Sequence, residues 1–228
     1  MSCRAVPFDY PVVLNLKTRL VVIVGAGVVG QRKLAGLLLC GAKVKLIDPS
    51  LVDHPRQESS VEAVAREFQP GDLAGAVLAF ACTDRSDVNR AVVSEARRRG
   101  IFCCCSEQAL SGDFALPAVL HRGPLTIAVS TGGGSPALAG QLRDQLAVEL
   151  PDSWGVGVEI IVALRRKWLT GKLPSKYNQQ VLRKFWEEQL IPTLEQGRTE
   201  AVDRLLTETF GGSYSLAKLQ IQLPEGMT

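Results

Sequence analysis

The sequence predicts an α/β chain: a doubly wound, mostly parallel sheet over about the first 110 residues, then a short stretch of mixed α+β character, then helices. Three observations carry this. Short β-branched or apolar runs at Leu20 to Val24, Val77 to Cys82 and Ile101 to Cys105 suit strands covered on both faces. Segments of helical spacing lie between them, and this alternation implies parallel crossovers. From Trp154 onward the apolar positions recur at helical spacing alone.

The first strand, Leu20 to Val24, runs directly into Gly25, Gly27 and Gly30 with the spacing G-x-G-x-x-G. The three glycines permit a tight turn, close approach of a pyrophosphate to the backbone, and close packing of the next helix. Val28 to Cys40 supplies that helix, with Val29, Leu34, Leu37 and Leu38 at helical spacing. Gly41 ends it, Lys43 to Ile47 forms the second strand, and Asp48 follows, eighteen residues past the last glycine. The helix N-terminus favours an anion, and an acid at this distance accepts from an adenosine ribose. This is a Rossmann-type unit, and Asp48 favours NAD over NADP because a carboxylate repels a 2′-phosphate. The other reading of Asp48 is a turn-former before Pro49.

Tyr10 to Leu16 is expected to lie extended against the sheet, with a turn at Asn15 to Lys17. Val61 to Phe68 fits a short strand or a helix, and Asp72 to Ala76 a turn or short helix. Thr83 and Asp84 end the Val77 to Cys82 strand, where ligands bind in such sheets; Asp84 fits equally as the cap of a helix from Asp87 to Arg99. Gly100 closes that helix before Ile101 to Cys105. Leu116 to Leu120 and Leu125 to Val129 read as a hairpin around His121-Arg122-Gly123-Pro124. Ser130 to Pro136, STGGGSP, opens a helix from Ala137 to Glu149; the turn can hold a carboxylate or phosphate or serve as a loop with a capping serine. Helices follow over Val156 to Trp168, Asn178 to Gln189 and Glu200 to Thr209, separated by Gly171 to Pro174 and by Ile191-Pro192, with Trp154, Trp168 and Trp186 as core. Ser213 to Thr228 is expected to fray.

A net charge of +3 over 228 residues is mild, and the sequence shows no long basic stripe of the kind a nucleic-acid binder carries; the clusters Arg97 to Arg99 and Arg165 to Lys167 read as solvated helix faces or as attractors of an acidic substrate. No run approaches the eighteen apolar residues of a membrane span, and the N-terminus lacks a leader pattern. A cytoplasmic protein without a membrane partner is therefore expected. Six cysteines, three of them consecutive at 103 to 105, have neither disulfide nor zinc spacing and read as buried small hydrophobes. His54, His121 and the cysteines show no metal-ligand spacing.

Taken in order, YPVVLNL, VVIVGAGVVGQRK, ACTD with Asn89, FALP and VSTGGGSPALA, followed by a helical tail, resemble the precorrin-2 dehydrogenase and ferrochelatase family of siroheme synthesis. The resemblance spans residues 6 to 150. It implies NAD-dependent oxidation of precorrin-2 to sirohydrochlorin, in some members with iron insertion, and a homodimer. It divides the chain into an NAD-binding domain (1–112), a dimerisation and substrate region (113–150) and a helical domain (151–228). It places NAD contacts at Gly25, Gly27, Val28, Val29, Gly30, Asp48, Pro49, Thr83 and Asp84. The acid or base falls on Glu107, where the family has an aspartate, with Asp113 ranked second. Tetrapyrrole candidates are Ser130, Thr131, Gly132, Gly133, Ser135, His121 and Arg122. The competing reading is an NAD(H)-sensing module without tetrapyrrole chemistry, since the glycine motif serves either.

Overall fold

The computed structural model describes residues 10–53, 59–107, 112–170 and 179–223. The chain divides into two compact units, Met1–Leu116 and Pro117–Thr228.

The first unit is a five-stranded parallel sheet with strand order β3-β2-β1-β4-β5. Its strands are β1 (Leu20–Val24), β2 (Lys43–Ile47), β3 (Val61–Val64), β4 (Leu78–Ala81) and β5 (Phe102–Cys105). Helices α1 (Val28–Leu39) and α2 (Ser86–Arg99) are the crossovers. Strand side chains alternate between faces, so Val21 and Ile23 pack with Leu34 and Leu37 of α1, whereas Val22 and Val24 pack with Val92, Val93 and Ala96 of α2. Both faces are covered, which is why β1 contains no polar residue. Val61 to Phe68 resolves to the four residues of β3, paired in parallel with β2.

The cysteines of β5 are small core residues. Cys103, Cys104 and Cys105 are buried, and burial pushes the Cys103 thiol up to about 12. Residues 10–16 contain no strand. Asn15 makes the expected turn, its Oδ1 accepting from the Lys17 N–H at 3.1 Å, and Leu16 packs on the core. Tyr10, Val12 and Val13 are exposed, so the segment is not held down along its length as its apolarity suggested.

A 3-10 turn at Pro70–Leu73 carries Asp72, 5% exposed. The Arg66 guanidinium grips both its oxygens, at 2.7 and 2.8 Å. This pair, opposed by burial and helped by the Gln69 N–H and Lys45, holds the Asp72 carboxyl below its usual range. Asp72→Asn is expected to destabilise this unit by about 2 kcal/mol, less than a fully buried pair because Arg66 is 40% exposed. A carboxyl depressed on folding stabilises above its unfolded value and loses that contribution as pH falls through the folded value. The gap between wild type and variant in urea melts is therefore complete near neutrality and closes as pH falls below 3.8. A gap that persists unchanged at pH 2 would contradict this origin.

The second unit begins with the hairpin β6 (Ala118–Arg122) and β7 (Leu125–Val129), antiparallel with Arg122 opposite Leu125. Helices α3 (Pro136–Glu149) and α4 (Ser153–Thr170) pack on it. Then come α5 (Gln179–Lys184), a π-helical stretch (Phe185–Leu190), α6 (Ile191–Glu195), α7 (Thr199–Phe210) and α8 (Leu216–Leu219). Their core contains Ile160, Leu164, Trp168, Phe185, Leu194 and Leu206. Trp154 and Trp186 meet edge to face at 5.4 Å and pack against this core.

Two expectations for the tail are corrected. The helix does not break at Ile191-Pro192. The Ile191 N–H bonds the Trp186 carbonyl five residues back, and this wider register carries the chain past a proline that has no N–H to offer. The segment after Ser213 does not simply fray: Leu216 and Leu219 are buried in α8, and the Leu216 N–H donates to Asp203 at 2.6 Å. The expected break at Gly171 to Pro174, residues Cys3 and His54, and the last five residues lie outside the described residues.

Candidate active site

The C-terminal ends of β1, β2 and β4 open onto a cavity of about 260 Å³ lined by residues that include Val24, Asp48, Pro49, Ser50, Thr83 and Asp84. This is the strand-end crevice where the strand order reverses, between β1 and β4.

Each glycine of the turn has a different surrounding. Gly25 sits at φ +103°, and a Cβ there would meet the Cys82 carbonyl at 2.6 Å. A Cβ on Gly30 would lie 1.9 Å from the Gly25 carbonyl oxygen, so the helix is pressed directly onto the turn. Gly27 faces open space, with nothing within 4 Å of where a Cβ would be. It is also the N-cap of α1, where no side chain caps the helix and no acidic residue occupies the first turn. Val28 beside it is exposed. An uncapped helix start next to an open glycine face is a seat for an anion.

Asp48 is tied to this turn. Its Oδ2 accepts from the Ala26 N–H at 2.6 Å, and its Oδ1 accepts from the Ser50 N–H and hydroxyl at 2.8 and 2.6 Å. Burial opposes the charge, but these three hydrogen bonds outweigh it and hold the carboxyl below its ordinary value. A carboxylate has about four acceptor sites, so Asp48 keeps capacity for a ribose hydroxyl.

Past β4, Thr83 and Asn89 form a closed set of hydrogen bonds. Asn89 is 1% exposed. Its Oδ1 accepts from the Thr83 N–H and hydroxyl at 3.2 and 2.8 Å, and its Nδ2 donates to the Thr83 carbonyl at 2.9 Å. The same Nδ2 donates to Glu107 Oε2 at 3.1 Å, and the Ser86 hydroxyl donates to Glu107 Oε1. Glu107 follows β5 and is exposed, yet both oxygens are held. The Ser86 hydroxyl first, then the Asn89 amide and Arg90, keep its carboxyl below the usual range. Asp84 lines the cavity and does not cap α2, whose N-cap is Arg85 without a side-chain bond. Asp113 lies elsewhere: its N–H and carboxylate bond the Cys103 carbonyl and N–H at 2.7 and 2.9 Å, fastening the chain to β5.

In the second unit, the Ser130 to Pro136 turn is bonded within itself. The Thr131 hydroxyl accepts from the Ser135 N–H and donates to the Ser135 carbonyl, both at 3.0 Å. Ser130 Oγ accepts from the Gly132 N–H, and Ser135 Oγ from the Leu138 N–H as the N-cap of α3. Gly133, at φ +76°, shapes the turn. Exposed His121 shares a 3.1 Å hydrogen bond with Thr126 across the hairpin. Arg122 points the other way, donating to the Leu150 and Ala147 carbonyls at 2.9 and 3.0 Å at the end of α3. Its guanidinium holds helix to hairpin, a structural task that its charge alone did not reveal.

Sequence reasoning missed Ser50 and Ser86, and gave Asn89 no task of its own. A signal existed for Asn89: with Val92, Val93 and Ala96 it forms the buried stripe of α2, and a polar residue in such a stripe must find partners.

Residues 12–118 match the family model described as "Putative NAD(P)-binding", and residues 122–148 the one described as "Sirohaem biosynthesis protein central". A siroheme synthase of Methylobacillus flagellatus is 31% identical over 206 residues, covering 86% of this chain and 44% of the relative. One from Methylococcus capsulatus is 36% identical, covering 88% and 43%. The chain thus spans less than half the length of these curated relatives. Among solved structures, "SirC, precorrin-2 dehydrogenase" aligns with a TM-score of 0.71 at 22% identity, covering 86% of this chain and 98% of that one, a likeness of fold. The chain is therefore a relative of the siroheme synthases, built from a segment of the NAD(P)-binding family followed by a segment of the sirohaem-biosynthesis central family.

Proposed function

We propose that the chain is a dehydrogenase that oxidises precorrin-2 to sirohydrochlorin with NAD. The observation that carries this is the bonded path from Thr83 through buried Asn89 to Glu107, which fixes an ionised carboxylate by the strand ends that also form the dinucleotide cavity. The residues fit the cofactor: open Gly27 and the uncapped α1 start receive the pyrophosphate, and Asp48 receives the ribose hydroxyls. When bound, the nicotinamide supplies the hydride acceptor. The chain orients the two partners, and Glu107 takes the proton released as a macrocycle carbon loses hydride. Val28, Val29, Pro49, Thr83 and Asp84 complete the cofactor contacts.

The substrate is a polycarboxylate. The turn Ser130, Thr131, Gly132, Gly133 and Ser135, with His121, is the proposed contact region, through backbone donors because its hydroxyls are engaged locally. Arg122 contributes by fixing α3. The region 113–150 is proposed to pair two copies of the chain; Leu138 and Leu142, one helical turn apart, leave exposed apolar surface on α3. The same protein is a candidate for iron insertion into sirohydrochlorin.

Purified protein mixed with precorrin-2 and NAD is expected to generate NADH together with the sirohydrochlorin spectrum. NADH at background would remove the dehydrogenase reading, and NAD(H) binding without tetrapyrrole turnover would leave a sensor instead. Ferrous iron added to sirohydrochlorin with and without protein tests insertion; equal rates exclude it.

A further inference from the structure

The rim of the dinucleotide cavity carries charges that cofactor binding as described leaves without a task. Arg66 and Arg85 both line it, with Glu67 between them in the fold. Arg66 is committed, since it grips both oxygens of buried Asp72 and also donates to the Glu67 carbonyl at 2.9 Å. Arg85 is held differently. It lies just past β4, half exposed, and its two ion-pair partners are the exposed carboxylates of Glu67 at 2.7 Å and Asp87 at 2.8 Å. Exposed pairs of this kind are weak and exchange readily.

We propose that Glu67 is a specificity-determining residue: by holding Arg85 at the cavity rim it denies that guanidinium to a phosphate on the ribose 2′ position beside Asp48. The inference rests on the proposed seat of the ribose at Asp48. Three carboxylates on the lining, Asp48, Glu67 and Asp84, face two guanidiniums, Arg66 and Arg85. A 2′-phosphate carries a charge of about −2 and meets, among the described residues, a net negative lining whose exchangeable cation Arg85 is already paired. Arginine is also the residue suited to bidentate phosphate capture, so the cavity holds a latent 2′-phosphate site closed by the acids that pair Arg85, of which Glu67 is the one on the cavity lining. Glu67 acts through Arg85 and through charge, without touching the cofactor.

The test is a cycle of four proteins, wild type, Glu67→Gln, Arg85→Gln and the double variant, each titrated with NADH and with NADPH by nucleotide fluorescence. The readout is the ratio of the two dissociation constants. Glu67→Gln is expected to shift the ratio toward NADPH by about tenfold relative to wild type. Made in the Arg85→Gln background, the same change is expected to shift it by no more than about twofold. Equal shifts in both backgrounds would mean that net charge alone is read and would overturn the assignment. An unmoved ratio with both nucleotides still binding overturns it while sparing the dinucleotide site. Binding of neither nucleotide to the wild type overturns both.

Discussion

Gly30→Ala is expected to eliminate measurable dinucleotide binding, whereas Gly27→Ala is expected to leave a folded protein that binds about tenfold more weakly. The two glycines belong to one motif but differ in what surrounds them. A methyl on Gly30 would sit 1.9 Å from the Gly25 carbonyl oxygen. Gly25 has no room to retreat: its N–H is bonded to the Ile47 carbonyl at 2.9 Å, and its own Cβ direction is closed by Cys82. The helix must lift from the turn, at a cost of about 1–3 kcal/mol for overpacking, and its N-terminus leaves the proposed phosphate seat. At Gly27 the methyl meets no protein atom within 4 Å. It occupies the side proposed for the pyrophosphate, and loss of about 1.4 kcal/mol of contact is a factor of ten. Fluorescence titration with NADH and thermal melts of both variants check this. Equal affinities in the two would overturn the assignment of phosphate seat and helix seat.

Glu107→Gln is expected to lower kcat for precorrin-2 oxidation by about 100-fold or more, the scale of general acid–base catalysis, with NADH affinity little changed. Glu107 lies one methylene further from the backbone than the aspartate that the resemblance expects there. The structure offers a use for that length: the carboxylate reaches the Ser86 hydroxyl and the Asn89 amide together. Glu107→Asp is therefore expected to lose those anchors and to fall well short of wild-type turnover. Because both anchors favour the ionised form, the acid limb of the rate profile lies below the ordinary glutamate value of 4.5. Ser86→Ala moves that limb upward while the Glu107→Gln loss persists at every pH. Unchanged kcat in Glu107→Gln would remove the residue from the chemistry, and an unmoved acid limb in Ser86→Ala would remove the serine from its control.

The legible parts of the fold were those written in short-range pattern. Gly25, Gly27, Gly30 and Asp48 encode a strand, turn, helix and strand within thirty residues, and each element is where the spacing put it. Local pattern failed where the deciding partner is distant in sequence. Four residues of β3 carry too few positions to show a period, and their pairing with β2 decides them. Pro192 reads as a helix stop until the Ile191 to Trp186 bond supplies a wider turn. The polar Ser213 to Thr228 stretch reads as fraying, although Leu216 and Leu219 belong to the helical core. The resemblance singled out Glu107 as a carboxylate but not as an anchored one, because Ser86 and Asn89 stand 21 and 18 residues away. Arg122 shows the converse, a cation suited by type to an acidic substrate but directed to helix carbonyls 25 and 28 residues away.

The bond from the Ala26 N–H to Asp48 has a meaning beyond the proposed ribose contact. It makes Asp48, the proposed ribose group, and the glycine turn, the proposed phosphate loop, parts of one frame, built from two loops and tied further by Ser50. Such a frame meets its ligand with its ordering entropy already lost during folding, so little of the binding energy goes into arranging the loops. Under the proposed assignment, affinity at the phosphate end and selectivity at the sugar end are a single property of this frame, and a change at either end is expected to be felt at both.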